Sequence, residues 1–339
     1  MLSRCLAACR FAGFLAVFTA LAAHAQSQRH FQFHYSFTVK SVPDGEPLKV
    51  WIPLAHSDSF QDVHLVSKQG DLPLRETRES EYGNELLYAE TPHAKQDTYK
   101  FTLEYDVVRR ETRVLAGGKP GPDASKEAAD KALLARFLEP DKLVPITGVP
   151  AELAAEQTKG AATPLARANA MYDYVFKTLR YDKSGTGWGN GDAIWACDSK
   201  RGNCTDFHSL FIAMARSEKI PSRFEIGFSV PSDKASGDIA GYHCWADFYT
   251  PELGWVPVDI SEAWKHQEKH DYFFGSRDAD RVQFTVGRDL RLDPPQAGPP
   301  LNYLIYPYVE VAGKPFTTLD KSFGFTEETG AKQTASGIN

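Results

Sequence analysis

Three short segments in the second half of the chain admit few arrangements. In Gly202 to Arg216, Phe207, Leu210, Phe211 and Met214 recur at i, i+3, i+4 and i+7, the spacing of a helix with one buried face. Gly202 and Asn203 are start signals, which puts Cys204 in or beside the first turn. Downstream, Tyr242 to Tyr249 alternates: His243, Trp245, Asp247 and Tyr249 share one strand face, and Cys244, Ala246 and Phe248 share the other, expected core side. Thr250-Pro251-Glu252-Leu253-Gly254 then turns the chain, and Gly254 to Ile260 returns antiparallel. A turn centred near 252 gives cross-strand partners whose numbers sum to about 504. His243 should thus face residues near 261, with Asp259 a diagonal neighbour on the same face.

This arrangement carries chemistry. Unsatisfied backbone N–H groups and the helix dipole at a helix start favour negative charge, so a cysteine there is expected to ionise readily. The same N–H groups suit an oxyanion. His243 is the candidate base and Asp259 the group that orients it. Asp247 lies four residues along the same strand, roughly 13 Å away at about 3.3 Å per residue, too far to do so. Cys204 would attack a carbonyl carbon, His243 would take the thiol proton and return it to the leaving amine, and Asp259 would fix the imidazole tautomer.

Gly202-Asn203-Cys204-Thr205-Asp206-Phe207, Gly241-Tyr242-His243-Cys244-Trp245 and Gly254-Trp255-Val256-Pro257-Val258-Asp259 resemble the three core motifs of the transglutaminase-like superfamily, and most strongly its bacterial exported branch, which includes cysteine-protease-like members. The resemblance covers roughly residues 150–275. It implies an α+β fold with a papain-like core, a Cys-bearing helix packed on an antiparallel sheet. It also implies catalytic Cys204, His243 and Asp259, with no required cofactor. The reaction it implies is acyl transfer or hydrolysis at an amide bond through a Cys204 thioester, as in a peptidase, amidase or transglutaminase. The substrate would be a protein, a peptide or a peptidoglycan-type amide. The alternative is a non-catalytic transglutaminase-like module that binds peptide or cell-wall polymer.

The same residues admit other readings. Cys204 and His208 are spaced i, i+4, and His243-Cys244 would add two metal-ligand types, but neighbouring strand residues should point to opposite faces and no metal site is expected. His208 is expected to be a hydrogen-bonded structural residue behind the active-site turn. Cys197 and Cys244 either form a disulfide or stay thiols. Trp188, Asn190 and Trp195 are the candidates for a side-chain oxyanion donor. Arg223, Arg281 and Arg288 are expected in structural ion pairs.

The rest of the chain sets the context. Arg4 and Arg10, an apolar run from Phe11 to Leu21 and Ala23-His24-Ala25 form a signal-peptide pattern over 1–25, with cleavage near Ala25. A periplasmic or secreted protein without a membrane span is expected. Removing Arg4 and Arg10 takes the formal charge from −6 to −8, and no strong basic run is present, so nucleic acid is not an expected partner. Of five cysteines, three would remain, Cys197, Cys204 and Cys244, an odd number that leaves at least one thiol unpaired within the chain. Residues 26–113 alternate in several segments, among them Phe31 to Val39, Leu48 to Pro53 and Tyr99 to Val107, which predicts an N-terminal β-sandwich. A Gly/Pro-rich linker is expected at 114–126, the catalytic domain with C-terminal strands at 127–320, and a loose tail at 321–339.

Overall fold

The computed structural model describes residues 27–125 and 130–328; the signal-peptide segment lies outside the described residues. The fold mixes helices with mostly antiparallel sheets. Strand Gln28–Val39 alternates as its sequence requires: Phe31, Phe33, Tyr35, Phe37 and Val39 are buried between more exposed neighbours. It pairs along its whole length with Tyr99–Arg110, Phe33 opposite Tyr105. Two five-stranded sheets incorporate the strands of residues 28–110.

Neither sheet is closed by the first 113 residues. Leu319–Glu327 pairs with Gln28–Val39, Phe323 opposite Tyr35, and Tyr308–Val311 pairs with Leu48–Pro53. The loose tail expected from 321 is corrected here: up to Glu327 this stretch is a strand, and only residues beyond 328 lie outside the description. Phe323 and Phe325 alternate with polar residues and are both buried, a short period-2 signal diluted by Lys321, Gly324 and Thr326. Arg29 anchors the start of the N-terminal strand by an ion pair with Glu327.

The 114–126 stretch does not separate two cores. Phe33 and Tyr35 meet Phe228, Phe284 and Phe323, with Phe33–Phe228 centroids at 5.2 Å and Phe228–Phe323 at 4.6 Å, in one continuous hydrophobic cluster. Phe228 and Phe284 belong to a four-stranded sheet ordered Gly254–Val258, Tyr242–Thr250, Ser222–Ser229, Arg281–Val286. Gly227 allows that sheet its close approach: a Cβ there would lie 1.9 Å from the Val282 carbonyl oxygen.

Helix Cys204–Ser217 packs on this sheet and is buried on nearly every side, although its pattern marks only one apolar face, because other helices cover the rest. Helix Pro164–Thr178 begins as expected, with Thr163 accepting from Ala166 N–H and Pro at the first turn. Its buried face is Ala168, Met171, Tyr172 and Val175, continued by Leu179 just past the helix end; the bulky Met171 and Tyr172 take the core, and the Tyr172 hydroxyl donates to His270 O. In the stretch 132–137, Phe137 alone is buried, and Leu133 stays exposed.

The C-terminal strand is thus part of the core. Phe323→Ala should destabilise the protein by about 3–5 kcal/mol, as for other buried aromatics, measured by urea unfolding. A change within about 0.5 kcal/mol would show that this strand is not integral to the fold.

Candidate active site

Cys204 opens its helix behind an Asn203 cap. The Asn203 side chain accepts from Thr205 N–H at 2.9 Å, and Asp206 returns a carboxylate oxygen to Asn203 N–H at 2.9 Å. This reciprocal arrangement satisfies helix-start donors that would otherwise compete for the cysteine. Asp206 also accepts from Gly189 N–H at 2.7 Å and Gly191 N–H at 3.0 Å, tying the 185–191 loop to the helix start. Gly202 makes room for that carboxylate, since a Cβ would lie 2.3 Å from its oxygen.

The hairpin register has the expected sum: Ala246 pairs with Val258 and Thr250 with Gly254. The strand ends at Val258, however, and Asp259 caps the short helix Ile260–Lys265. It is therefore at a strand-to-helix turn and not at the diagonal strand position inferred from pairing alone. From there it reaches His243, with Asp259 Oδ2 2.8 Å from His243 Nε2. Arg281 Nη1 donates to the same oxygen at 2.9 Å. Glu262 N–H and the Ser261 hydroxyl donate to Oδ1 at 3.1 and 3.2 Å. With Nε2 committed to Asp259, His243 has Nδ1 left for Cys204, and the two groups are close enough for each to shift the other's pKa.

His208 braces this group from behind. Ile260 N–H donates to its Nε2 at 3.0 Å, so that nitrogen is an acceptor and the hydrogen sits on Nδ1, 2.8 Å from the Cys204 carbonyl oxygen. Burial lowers its pKa despite Asp259 3.7 Å away, which agrees with a neutral ring. The positive partner of Cys204 is accordingly His243 and not His208.

All three proposed triad side chains are buried. Burial alone would raise the Cys204 pKa, but hydrogen bonds from Cys244 and His243 and the His243 charge hold it well below the usual thiol range. Burial would likewise lower His243, yet Asp259 and Cys204 push it up to about 10. Asp259 is held well below the carboxylate range, burial being outweighed by His243 and Arg281. The resulting state is a thiolate–imidazolium–carboxylate series.

Cys244 does not lie apart from this site as the opposite-face expectation required. Its Sγ lies 3.7 Å from the Thr205 hydroxyl and 3.9 Å from His208 Nδ1, because the helix start meets the strand near its first residues. Cys197 and Cys244 are free thiols. Trp188 and Asn190 spend their N–H donors inside their own loop, on Gly185 O and Gly187 O, each at 3.2 Å. The Trp195 ring packs at Gly187, where a Cβ would lie 2.5 Å from its Nε1. Arg223 pairs with Asp247, and Arg288 bonds Asn302, Ser209 and the Gly191 carbonyl. Arg281 is in an ion pair as expected, but its partner is Asp259. The Tyr242 hydroxyl, not singled out from sequence, contacts the Asn203 amide at 3.0 Å and the Thr205 hydroxyl at 2.9 Å. Among the described residues no group of three or more His, Cys, Asp or Glu side chains forms a metal site.

Residues 151–260, which carry all of Cys204, His243 and Asp259, match the sequence model of the transglutaminase-like superfamily. This segment is similar to a transglutaminase-like core. Over 320 residues the chain is 26% identical to an uncharacterized protein of Haemophilus influenzae, covering 84% of this chain and 86% of that one. A crystal structure of a candidate cysteine protease from Cytophaga hutchinsonii superposes with a TM-score of 0.56 at 14% identity, covering 89% of this chain and 99% of that one. At that identity the likeness extends to the fold. The periplasmic domain of TgpA from Pseudomonas aeruginosa, bound to ethylmercury, covers 71% of this chain and 92% of its own at 15% identity and a TM-score of 0.38. The first two matches extend well beyond the transglutaminase-like core into the flanking sheets.

The paired pKa shifts in the transglutaminase-like core predict a stability plateau. His243, raised, stabilises fully below its unfolded pKa of about 6.5 and loses this as pH rises to about 10. Cys204, lowered, stabilises fully above its unfolded pKa of about 8.5 and loses this as pH falls toward its folded value. Between about pH 6.5 and 8.5 the two slopes oppose, so the pair contributes a flat maximum. In Cys204→Ala the decline should begin near pH 6.5 instead. Urea midpoints from pH 5 to 10 check this, and identical profiles for both proteins would contradict it.

Proposed function

We propose that this chain is an exported thiol enzyme of transglutaminase-like type, acting on an amide bond through a Cys204 thioester. The observation that carries the proposal is the continuous path from the helix-start thiol, through His243, to Asp259 at 2.8 Å. The Cys204 thiolate attacks the amide carbonyl carbon, and the electron pair moves onto oxygen. The Cys204 backbone N–H, at the first helical position, is placed to meet that oxyanion. Trp195 is the one of the three side-chain candidates whose N–H makes no hydrogen bond among the described residues, and it is the donor we assign.

His243 protonates the leaving amine as the C–N bond breaks. It then removes a proton from water or from an acceptor amine, which resolves the thioester. Asp259 holds Nε2 throughout, so that Nδ1 remains the working nitrogen. No cofactor enters these steps. The substrate is a protein, peptide or peptidoglycan-type amide, and hydrolysis is the principal outcome because water needs no dedicated acceptor site. The papain-like arrangement of helix and sheet, and a β-sandwich formed by the N-terminal strands, agree with this reading. The site of action is periplasmic or secreted, supported by the signal-peptide pattern of residues 1–25 and by the lack, among the described residues, of a helix long and apolar enough to cross a membrane.

Thioester chemistry is tested by competition. Incubation with glutamine- and asparagine-containing peptides and with peptidoglycan fragments should release amine, and hydroxylamine should divert the acyl group into a hydroxamate. Cys204→Ala should abolish both products. Asp259→Asn should lower kcat/KM by on the order of 10²–10⁴-fold, as expected when the base loses its tautomer control. Peptide binding without hydroxamate, unchanged in Cys204→Ala, would instead identify a non-catalytic module.

A further inference from the structure

Cys244 has no part in this mechanism, yet it lies against the first turns of the helix that carries the nucleophile. It is fully buried, and its Sγ lies 3.7 Å from the Thr205 hydroxyl and 3.9 Å from His208 Nδ1, both groups on the first turns of the nucleophile helix. Each thiol also shifts the other's pKa, Cys204 downward and Cys244 upward. A core position of this size is commonly filled by an inert small residue. Here a second thiol faces the reactive one, and the remaining thiol, Cys197, sits on helix Ala193–Ser199.

From this juxtaposition we infer that Cys244 is the resolving thiol of a reversible Cys204–Cys244 disulfide, which forms under hydroperoxide and protects the nucleophile from irreversible oxidation. The inference rests on the reading of Cys204 as an activated thiolate. The Cys204 sulfur attacks one peroxide oxygen, the O–O bond breaks, and hydroxide leaves with a proton to form water, giving a sulfenic acid. Cys244 then loses its proton, its sulfur attacks the Cys204 sulfur, and the S–O bond breaks. His243 relays the Cys244 proton to the departing hydroxide, so a second water is released. Two thiols have lost two electrons, and the peroxide has gained them.

The surroundings suit each step. Cys204 is the reactive member because His243 and the helix start favour its thiolate, whereas burial and the neighbouring Cys204 charge keep Cys244 protonated until Cys204 is oxidised. Oxidation to the sulfenic acid removes that negative charge and with it the repulsion that suppresses a Cys244 thiolate. Full burial hides Cys244 from larger thiol reagents, leaving Cys204 as its reaction partner. Closing the two sulfurs to a bond of about 2.05 Å moves Cys204 away from His243 and stops acyl transfer until a reductant restores it.

The test is peptide mapping of the full-length mature protein after brief hydrogen peroxide treatment and thiol trapping. The expected result is a Cys204–Cys244 linkage with a mass loss of about 2 Da, fully reversed by dithiothreitol. In Cys244→Ala, and in Cys244→Ser should the first variant fold poorly, Cys204 should instead gain about 32 or 48 Da as sulfinic or sulfonic acid, which dithiothreitol does not reverse. Over-oxidation of Cys204 in the native chain to the same extent as in the variants, or linkage to Cys197, would overturn the inference. So would a Cys204 that peroxide leaves untouched. Alkylation of that same sample at acid pH then separates the causes: fast labelling leaves the activated thiolate standing and removes only the role of Cys244, whereas slow labelling removes both.

Discussion

The candidate site depends on one buried carboxylate. Asp259 joins the end of the hairpin, the start of helix Ile260–Lys265, His243 on the adjacent strand and Arg281 from the far strand of the sheet. Each oxygen accepts two hydrogen bonds, which makes an ionised group tolerable in a site closed to solvent. Removing any partner would leave a charge uncompensated, a change that costs far more than a surface ion pair returns. His243 is oriented because Asp259 is over-determined, and His243 in turn lowers the Cys204 pKa.

The flanking architecture explains how such a charge series stays dry. The sheet that carries His243 is covered on one side by the nucleophile helix, while Phe228 and Phe284 meet the aromatic residues of the N-terminal strand. The C-terminal strand completes that layer by returning to the first strand. Residues distant in sequence, such as Tyr35 and Phe323, are thereby part of the support for the hairpin. The loop at 185–191 is fastened by Asp206, so the entrance to the site is tied to the same capping arrangement that presents the thiol.

Much of this was legible in the sequence, for identifiable reasons. Local periodicity marked the nucleophile helix and the strands around Phe31, Tyr242 and Trp255, and a tight turn made the hairpin register computable. The same arithmetic missed the strand end at Val258, because pairing rules do not say where a carboxylate will leave the sheet to cap a helix. Arg281 is expected from sequence in a structural ion pair without a named partner, since nothing local links it to a residue 22 positions earlier at a strand-to-helix turn. The tail strand Leu319–Glu327 was missed because its stabilisation is tertiary, two buried phenylalanines in an otherwise polar stretch. The face argument sets Cys244 apart from His243 but does not say that the start of helix Cys204–Ser217 abuts Cys244.

The claim that everything else rests on is that Cys204 is a thiolate paired with His243 at neutral and mildly acid pH. Iodoacetamide labelling of the mature protein from pH 4 to 9, followed at Cys204 by mass spectrometry, measures this directly. The account predicts rapid modification already at pH 5–6, well below the free-thiol pKa of about 8.5, and a marked slowing in His243→Ala. Labelling that rises only near pH 8.5 and is indifferent to that substitution would contradict it.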